Sequence, residues 1–298
     1  MRSMQEFTVM TYNVQFNLDS WRTSRKAKTI EVLKFYRPDI LACQECTSEH
    51  ERDLMDALMA GDDYRLSSVT PAPGRNNKPG LLNPIFFNRK AFRLLSDGHV
   101  DLPTSSSPSH VHWAKLRHRH SNRTLVVYNM HLDQALGPKR KSWAIVDGLI
   151  RQNITHEHIM IGDLNMHENE AIYRNIIERP DSSPVRTDDG QKLHFAVRDS
   201  YMEAEHVDAM FLVTCLKGEK TMAKLKARAN RAGRIDHIWY VGRPNRVLEP
   251  VKYRILINKV TRVASDHFPV QCTFTLEDDF SDFETQPAPW LVPKKRKK

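Results

Sequence analysis

Short apolar segments alternate with amphipathic helical segments along most of the chain, and this alternation restricts the possible folds more than any other feature of the sequence. Residues 7–12 alternate in the manner of a half-buried strand, residues 24–36 place apolar side chains on one helical face, and residues 40–43 form a short apolar run. A strand, a helix and a second strand therefore open the chain. The same pattern continues to residue 276 and predicts a layered α/β architecture.

The remaining elements follow from the same periodicities and from turn residues between them. Further strands are predicted at 85–87, 92–95, 112–116, 124–129, 159–161, 235–241, 253–257 and 270–276, and further helices at 49–60, 168–177, 199–205 and from Pro138 onwards. No run of 18 apolar residues occurs, and the amino terminus lacks a signal-peptide pattern. We expect one large domain over residues 1–276, and a disordered, acidic then basic tail over residues 277–298.

The positive charge of the chain lies in this domain and not in the tail. The formal net charge is +9. The basic run Lys294–Lys298 is cancelled by five acidic residues between Glu277 and Glu284. A basic body favours an anionic partner such as nucleic acid, although it also serves solubility. We expect a soluble, intracellular monomer without membrane contact, cytoplasmic or, if the basic run acts as an import signal, nuclear.

Polar side chains able to bind a metal stand at the end of one predicted strand after another. They occur in five places: Asn13, Glu45, Asn129 to His131, Asp163 to Asn165, and Asp266 with His267. Oxygen ligands of this kind suit Mg²⁺, with Mn²⁺ as a possible substitute, better than zinc. A metal, a carboxylate and a histidine together can activate water, stabilise a pentacoordinate phosphorus and neutralise the leaving oxygen, which is the chemistry of phosphodiester hydrolysis.

Six sequence blocks resemble, in their usual order, the signature blocks of the endonuclease/exonuclease/phosphatase superfamily, which has the DNase I-like fold. The blocks are Met10–Val14, Cys43–Glu45, Asn129–Asp133, Ile161–Asn165, Arg234–Ile238 and Ser265–Pro269. The resemblance covers residues 7–276 and implies that this domain is catalytic. It also implies a four-layer α/β/β/α sandwich, in which two mixed β-sheets pack face to face with helices outside.

The resemblance further implies a metal site at one end of the sheets. Glu45 corresponds to the principal metal ligand and Asn13 assists it. Asp266 would complete the environment of the metal or of a catalytic histidine.

The other matching residues correspond to groups that handle protons and phosphate. Asp163 would position or deprotonate the attacking water, and Asn165 would hold a non-bridging phosphate oxygen. His267 would act as general base or contact the phosphate, and Asp236 would orient one of the histidines. His131 would stabilise the transition state or protonate the leaving group.

A basic segment directly before the Asp236 block offers candidate substrate contacts. Residues 217–234 carry several lysines and arginines, and the substrate-binding candidates are Lys224, Lys226, Arg228 and Arg231. At the rim of the site they would attract a polyanion. A solvated loop without a binding role is an equally good interpretation.

Three further features each allow an interpretation without a role in catalysis. Asp133 either contacts metal or substrate, or is a solvated turn carboxylate. Trp239 is predicted to be buried and not to stack on a base. An exposed cationic edge around the predicted 112–129 hairpin would account for four histidines, namely His110, His112, His118 and His120.

The sequence thus predicts a Mg²⁺-dependent phosphodiester hydrolase, with a nuclease acting on DNA or RNA as the leading hypothesis. A phosphatase or phosphodiesterase for a small or lipid phosphate, such as an inositol phosphate or sphingomyelin, is a second hypothesis. A non-catalytic binding module that keeps the fold is a third.

Overall fold

Two large β-sheets form the centre of the computed structural model, which describes residues 4–59, 63–67, 81–105, 108–178, 184–186, 190–215, 233–242 and 247–278. The strands are β1 Met4–Asn13, β2 Ile40–Gln44, β3 Tyr64–Leu66, β4 Ile85–Asn88, β5 Phe92–Leu102, β6 Ser109–His118, β7 Thr124–His131, β8 Glu157–Asp163, β9 Val185–Arg186, β10 Lys192–Leu193, β11 Ala196–Asp199, β12 His206–Asp208, β13 Asp236–Gly242, β14 Leu248–Ile255 and β15 Val270–Glu277.

Both large sheets contain parallel and antiparallel pairs. One sheet has the strand order β12-β14-β15-β1-β2-β4-β3, with β1 parallel to β2 and β12 parallel to β14. The other has the order β11-β13-β8-β7-β6-β5, with β7 parallel to β8. The short strands β9 and β10 pair separately. We call the two large sheets the seven-stranded and the six-stranded sheet.

Helices lie on the outer faces of these sheets. They are α1 Leu18–Ser20, a π-helical segment Trp21–Arg25, α2 Lys26–Tyr36, α3 Ser48–Met59, α4 Leu136–Gln152, α5 Ala171–Ile177, α6 Ser200–Glu203 and α7 Thr261–Ala264. One apolar cluster joins residues of both sheets, such as Val9 and Val127. A second joins α4 and α5 to the six-stranded sheet, and a third joins α2 and α3 to the seven-stranded sheet. The predicted four-layer sandwich is confirmed.

Strand β8 approaches β7 so closely that only glycine fits at one position. Gly162 has φ +145°, and a Cβ atom there would lie 1.9 Å from the main-chain oxygen of Met130. Glycine has no Cβ and tolerates this conformation. Gly162 therefore allows the two strands to carry their polar ends, His131 and Asp163, side by side.

The predicted exposed cationic edge is wrong for three of its four histidines. His110, His112 and His118 are buried. They lie on the same inward face of β6 as Ala114 and Leu116, because every second residue of a strand points to one face. Burial lowers the pKa of His110 and of His112 to about 4. These rings are therefore neutral core side chains.

Several other expectations can be compared with the structure. Trp239 is buried as predicted, with its ring against Trp143 and Tyr173. No helix in the described part of the chain is long and apolar enough to span a membrane. β15 extends to Glu277, and residues 279–298, which hold most of the predicted tail, lie outside the described residues.

Candidate active site

The pairing of three strands brings three of the predicted site residues together. His131, the last residue of β7, lies beside Asp163, the last residue of β8, in the parallel register. Asp236, the first residue of β13, lies opposite Asp163 in the antiparallel register. The site thus begins as a row of three polar residues at one end of the six-stranded sheet.

Asp163 is the centre of the site and connects both sheets. Its Oδ2 atom accepts a hydrogen bond from Asn13 Nδ2 at 3.1 Å and lies 3.5 Å from His131 Nε2 and 3.7 Å from His267 Nε2. Its Oδ1 atom accepts the main-chain N–H of Asn165 at 3.0 Å. Burial opposes ionisation of Asp163, but the charges of the two histidines and these hydrogen bonds outweigh it and lower the pKa of the carboxyl.

His267 and Asp236 form a buried pair next to this carboxylate. His267 Nδ1 lies 2.9 Å from Asp236 Oδ2. Burial alone would lower the pKa of His267, but the charge and hydrogen bond of Asp236, with smaller contributions from Cys215 and Asp163, raise it well above its ordinary value. The imidazole is therefore held in its protonated form, with Nε2 directed towards Asp163.

Glu45 lies at the end of β2, in the opposite sheet. Its Oε1 atom accepts a hydrogen bond from Asn13 Nδ2 at 3.0 Å, and its Oε2 atom accepts the main-chain N–H of Phe16 at 3.1 Å. Glu45 and Asn165 both have positive φ angles, 58° and 46°. Left-handed backbone is unusual for residues other than glycine and is concentrated at functional sites.

Possible metal ligands of the His, Cys, Asp and Glu types gather at the centre of the site. Two groups of possible ligands, each with its atoms within 4.8 Å, occur among the described residues: Glu45, His131 and Asp163, and Asp163, Asp236 and His267. Asp266 belongs to neither group. Asn13 presents its amide nitrogen to the two carboxylates, while its Oδ1 atom accepts the N–H of Gln15 at 2.9 Å.

Asp266 acts, together with Glu45, on a buried arginine beside the site. Its charge acts on Arg25 and on Tyr12, and its Oδ1 atom lies 3.4 Å from Ser265 Oγ. The Ser265 hydroxyl also donates to the main-chain oxygen of Asn13 at 2.7 Å. This hydrogen bond ties the loop that carries Asp266 and His267 to the end of β1.

Two positioning residues could not be identified from the sequence. Lys139, on α4, is buried, and its ammonium group donates to the main-chain oxygen of Asn165 and to Glu170 Oε2, the latter at 3.0 Å. Thr214 Oγ1 accepts the N–H groups of Ile235 and Asp236, both at 3.1 Å. Neither residue stands in a recognisable block, so no sequence signal marked them.

A buried ion pair fixes the segment that enters β13. The Arg234 guanidinium donates to Asp199 Oδ2 at 2.7 Å and to Glu168 Oε1 at 2.7 Å, and it lies 4.1 Å from the centre of the Tyr201 ring. Burial opposes the ionisation of Asp199, but the charge of Arg234 and hydrogen bonds lower the pKa of this carboxyl far below its usual range. Arg234 therefore holds Asp236, two residues later, in a rigid frame.

A chain of buried amides connects the two sheets directly beneath the site. Gln44 Nε2 donates to Asn129 Oδ1 at 2.7 Å, and Asn129 Nδ2 donates to the main-chain oxygens of Cys43 and Pro84 at 2.8 and 2.9 Å. Thr11 Oγ1 donates to Gln44 Oε1 at 3.1 Å. We call these contacts the inter-sheet amide tie.

A cavity of about 480 Å³ opens beside Glu45, His131 and Asn165. Asp133 lies in its wall, where its carboxylate accepts hydrogen bonds from Ser105 and from the N–H of Ala135. Asp133 therefore lines the cavity, and its hydrogen bonds go to Ser105 and Ala135 and not to the carboxylates at the centre of the site.

The four predicted substrate-binding residues cannot be placed. Lys224, Lys226, Arg228 and Arg231 lie within 216–232, outside the described residues. Their role stays a prediction.

A four-layer α/β sandwich with carboxylates and histidines gathered at one end of its sheets defines a phosphoesterase with the DNase I-like fold. The chain belongs to the endonuclease/exonuclease/phosphatase family, whose sequence profile matches residues 10–267. Members of this superfamily are metal-dependent hydrolases of phosphoester bonds. No curated protein sequence matches the chain significantly.

Solved structures confirm the fold at low sequence identity. A Bacteroides vulgatus endonuclease/exonuclease/phosphatase is 19% identical with a TM-score of 0.73, covering 92% of this chain and 100% of its own. A Bacteroides thetaiotaomicron mannosyl-6-phosphatase is 19% identical with a TM-score of 0.68, covering 90% and 99%. The human Nocturnin catalytic domain, solved with sulfate, is 20% identical with a TM-score of 0.61, covering 92% and 97%.

Proposed function

We propose that this protein is a Mg²⁺-dependent phosphodiester hydrolase that acts on nucleic acid. The observation that carries the proposal is the position of the Asp163 carboxylate between two histidines, 3.5 Å from His131 Nε2 and 3.7 Å from His267 Nε2. A carboxylate that can accept a proton, flanked by two groups that can donate one, is suited to hydrolysis of a phosphate ester.

The acceptors around Glu45 fit a hard divalent cation. Glu45 supplies carboxylate oxygens, the ligand type that Mg²⁺ prefers. Asp266 lies on the loop that Ser265 ties to the end of β1. When bound, Mg²⁺ would neutralise charge that develops on the phosphate oxygens. Asn13 holds the Glu45 and Asp163 carboxylates at a fixed separation through its two hydrogen bonds, which opposes their mutual repulsion.

The remaining residues divide the proton transfers. Asp163 Oδ2 accepts a proton from the attacking water. His267, protonated because of Asp236, donates a hydrogen bond from Nε2 to a non-bridging phosphate oxygen. His131 gives a proton to the leaving oxygen, and Asn165 orients the phosphate.

The charge of the protein supports nucleic acid as the substrate. The net charge of +9 attracts a polyanion, and binding to phosphates would release counterions. A small phosphate ester gains less from a charge spread over a whole domain.

Hydrolysis of single-stranded and double-stranded DNA and RNA, with and without Mg²⁺, tests the proposal. Glu45→Ala and His267→Ala should each lower kcat by roughly 100-fold or more, because each removes a group from the centre. Inositol phosphates, sugar phosphates and sphingomyelin serve as competing substrates. Activity on these alone, or full activity of both variants, would refute the proposal.

A further inference from the structure

One wall of the cavity beside Glu45 is fixed by hydrogen bonds at two points. Residues on both described sides of the connection between β5 and β6, namely Thr104, Ser105, Pro108 and Ser109, line this wall. Ser105 donates to Asp133 through its N–H at 2.6 Å and its hydroxyl at 2.8 Å. Ser109 Oγ donates to the main-chain oxygen of His131 at 2.8 Å. These contacts hold both described ends of the connection against His131 and Asp133, at and just beyond the end of β7.

The charge of the described lining residues is unfavourable for a second phosphate group. The described residues that line it include Asp133 and Glu45 but no lysine or arginine. Burial opposes ionisation of Asp133, but the hydrogen bonds from Ser105 and Ala135 together outweigh it and lower the pKa of this carboxyl. A further phosphodiester would therefore be repelled, whereas the hydroxyl groups of a sugar could donate to carboxylate and hydroxyl oxygens.

An exposed aromatic ring also lines the cavity. Phe16 lines the cavity with 56% of its surface exposed, and it is the one aromatic residue among the described lining residues. The main-chain N–H of Phe16 donates a hydrogen bond to Glu45 Oε2, which fixes the backbone of Phe16 relative to the catalytic centre. Exposure of a large apolar ring is unfavourable in water, and base stacking would cover it.

We infer that the cavity binds the terminal nucleoside of a nucleic acid strand, so that the protein cleaves at a chain end and not within the chain. The inference rests on the proposed function. The cavity of about 480 Å³ lies within the range of roughly 300 to 1,000 Å³ that holds one small ligand. The terminal base stacks on Phe16, its sugar lies near Asp133, and the phosphate that joins it to the next nucleotide lies at Asp163.

Linear and covalently closed circular single strands of one sequence distinguish the two modes of cleavage. We expect the full-length protein with Mg²⁺ to release mononucleotides from the linear strand and to cleave the circle at least about 100-fold more slowly. Equal cleavage of both substrates would overturn the inference while leaving the proposed function intact. Cleavage of neither would refute the proposed function.

A second experiment tests the role of Phe16. The wild-type protein should prefer a strand with a terminal base over one with a terminal abasic sugar by about tenfold in kcat/KM, the effect of one stacked base. Phe16→Ala should hydrolyse the two substrates at equal rates. Phe35→Ala, at a residue that is 79% exposed on α2, is the matched control and should keep the preference. A preference that persists in Phe16→Ala would overturn the assigned stacking contact.

Discussion

Replacement of Asn129 by leucine should weaken the fold and the active site together. Asn129 is fully buried and makes three hydrogen bonds from the six-stranded sheet to Gln44, Cys43 and Pro84 of the seven-stranded sheet side. Leucine has a similar shape but no polar atoms. The variant therefore removes the three contacts of the inter-sheet amide tie that involve Asn129 without opening a large cavity.

The magnitude follows from the partners that lose a hydrogen bond. Each lost bond costs about 1 kcal/mol, and a buried group left without any partner costs about 1 to 3 kcal/mol. Two partners keep a second contact, because Pro84 O also accepts the N–H of Cys43 and Gln44 Nε2 also donates to Ala42 O. The expected loss in free energy of unfolding is therefore about 2 to 4 kcal/mol, below the roughly 5 to 15 kcal/mol that stabilises a typical domain.

The functional loss follows from the neighbours of the tie. Gln44 directly precedes Glu45, and Asn129 lies two residues before His131. A displacement of about 1 Å at a catalytic group can lower turnover by about 100-fold. We expect kcat to fall by roughly 10- to 100-fold while the variant remains folded.

Urea unfolding followed by tryptophan fluorescence and circular dichroism measures the stability, and steady-state hydrolysis measures kcat. Gln44→Met and the double variant complete a cycle, in which we expect a coupling of about 1 kcal/mol. Asn175→Leu, on the exposed face of α5, is the matched control and should change stability by less than about 0.5 kcal/mol. A loss below about 1 kcal/mol with unchanged kcat in Asn129→Leu would refute the reasoning.

Three further predictions concern the frame around the site. Gly162→Ala should lower the free energy of unfolding by about 3 kcal/mol, because the added Cβ would lie 1.9 Å from the main-chain oxygen of Met130. An unchanged midpoint of urea unfolding would contradict this. Arg234→Met should lower the free energy of unfolding by about 3 to 5 kcal/mol, because Asp199 is then buried without its cation. Adding Asp199→Asn to the same chain should recover part of this loss. If nothing is recovered, the ion pair does not stabilise the fold as described. The pKa of His110 is about 4 in the folded protein, below its unfolded value of about 6.5, so its contribution to stability is complete above pH 6.5 and declines towards pH 4. At pH 5 the loss from this residue should be about 2 kcal/mol, and unfolding curves of His110→Leu should show a correspondingly weaker pH dependence.

The sequence was sufficient to predict the layers and most of the site because both depend on local patterns. Strand periodicity located the sheets, and the polar residues at strand ends located Glu45, His131 and Asp163. The position of Asp163 beside His131 needs only that β7 and β8 be parallel neighbours in register. Such information lies within a few residues of each motif.

Other features depend on contacts between distant segments and could not be predicted in this way. The direction of the Asn13 amide is set by two carboxylates, one from each sheet. Lys139 resembles an ordinary surface lysine until α4 packs against the loop of Asn165. The burial of the β6 histidines follows from their position on the same strand face as Ala114 and Leu116 and not from their polarity, which alone indicates exposure.

The central position of β1 also determines when the protein can become active during its synthesis. β1 (Met4–Asn13) is synthesised before the other described strands, and β15 (Val270–Glu277), which covers one of its edges, follows roughly 260 residues later. At about 5 to 20 residues per second this interval lasts roughly 13 to 50 seconds. During that time the edge of β1 exposes unpaired main-chain groups, and His267 has not yet reached Asp163. The nascent chain is therefore both inactive and prone to strand-edge association until β15 is inserted, which makes the stage before β15 pairs the point at which a chaperone would matter most.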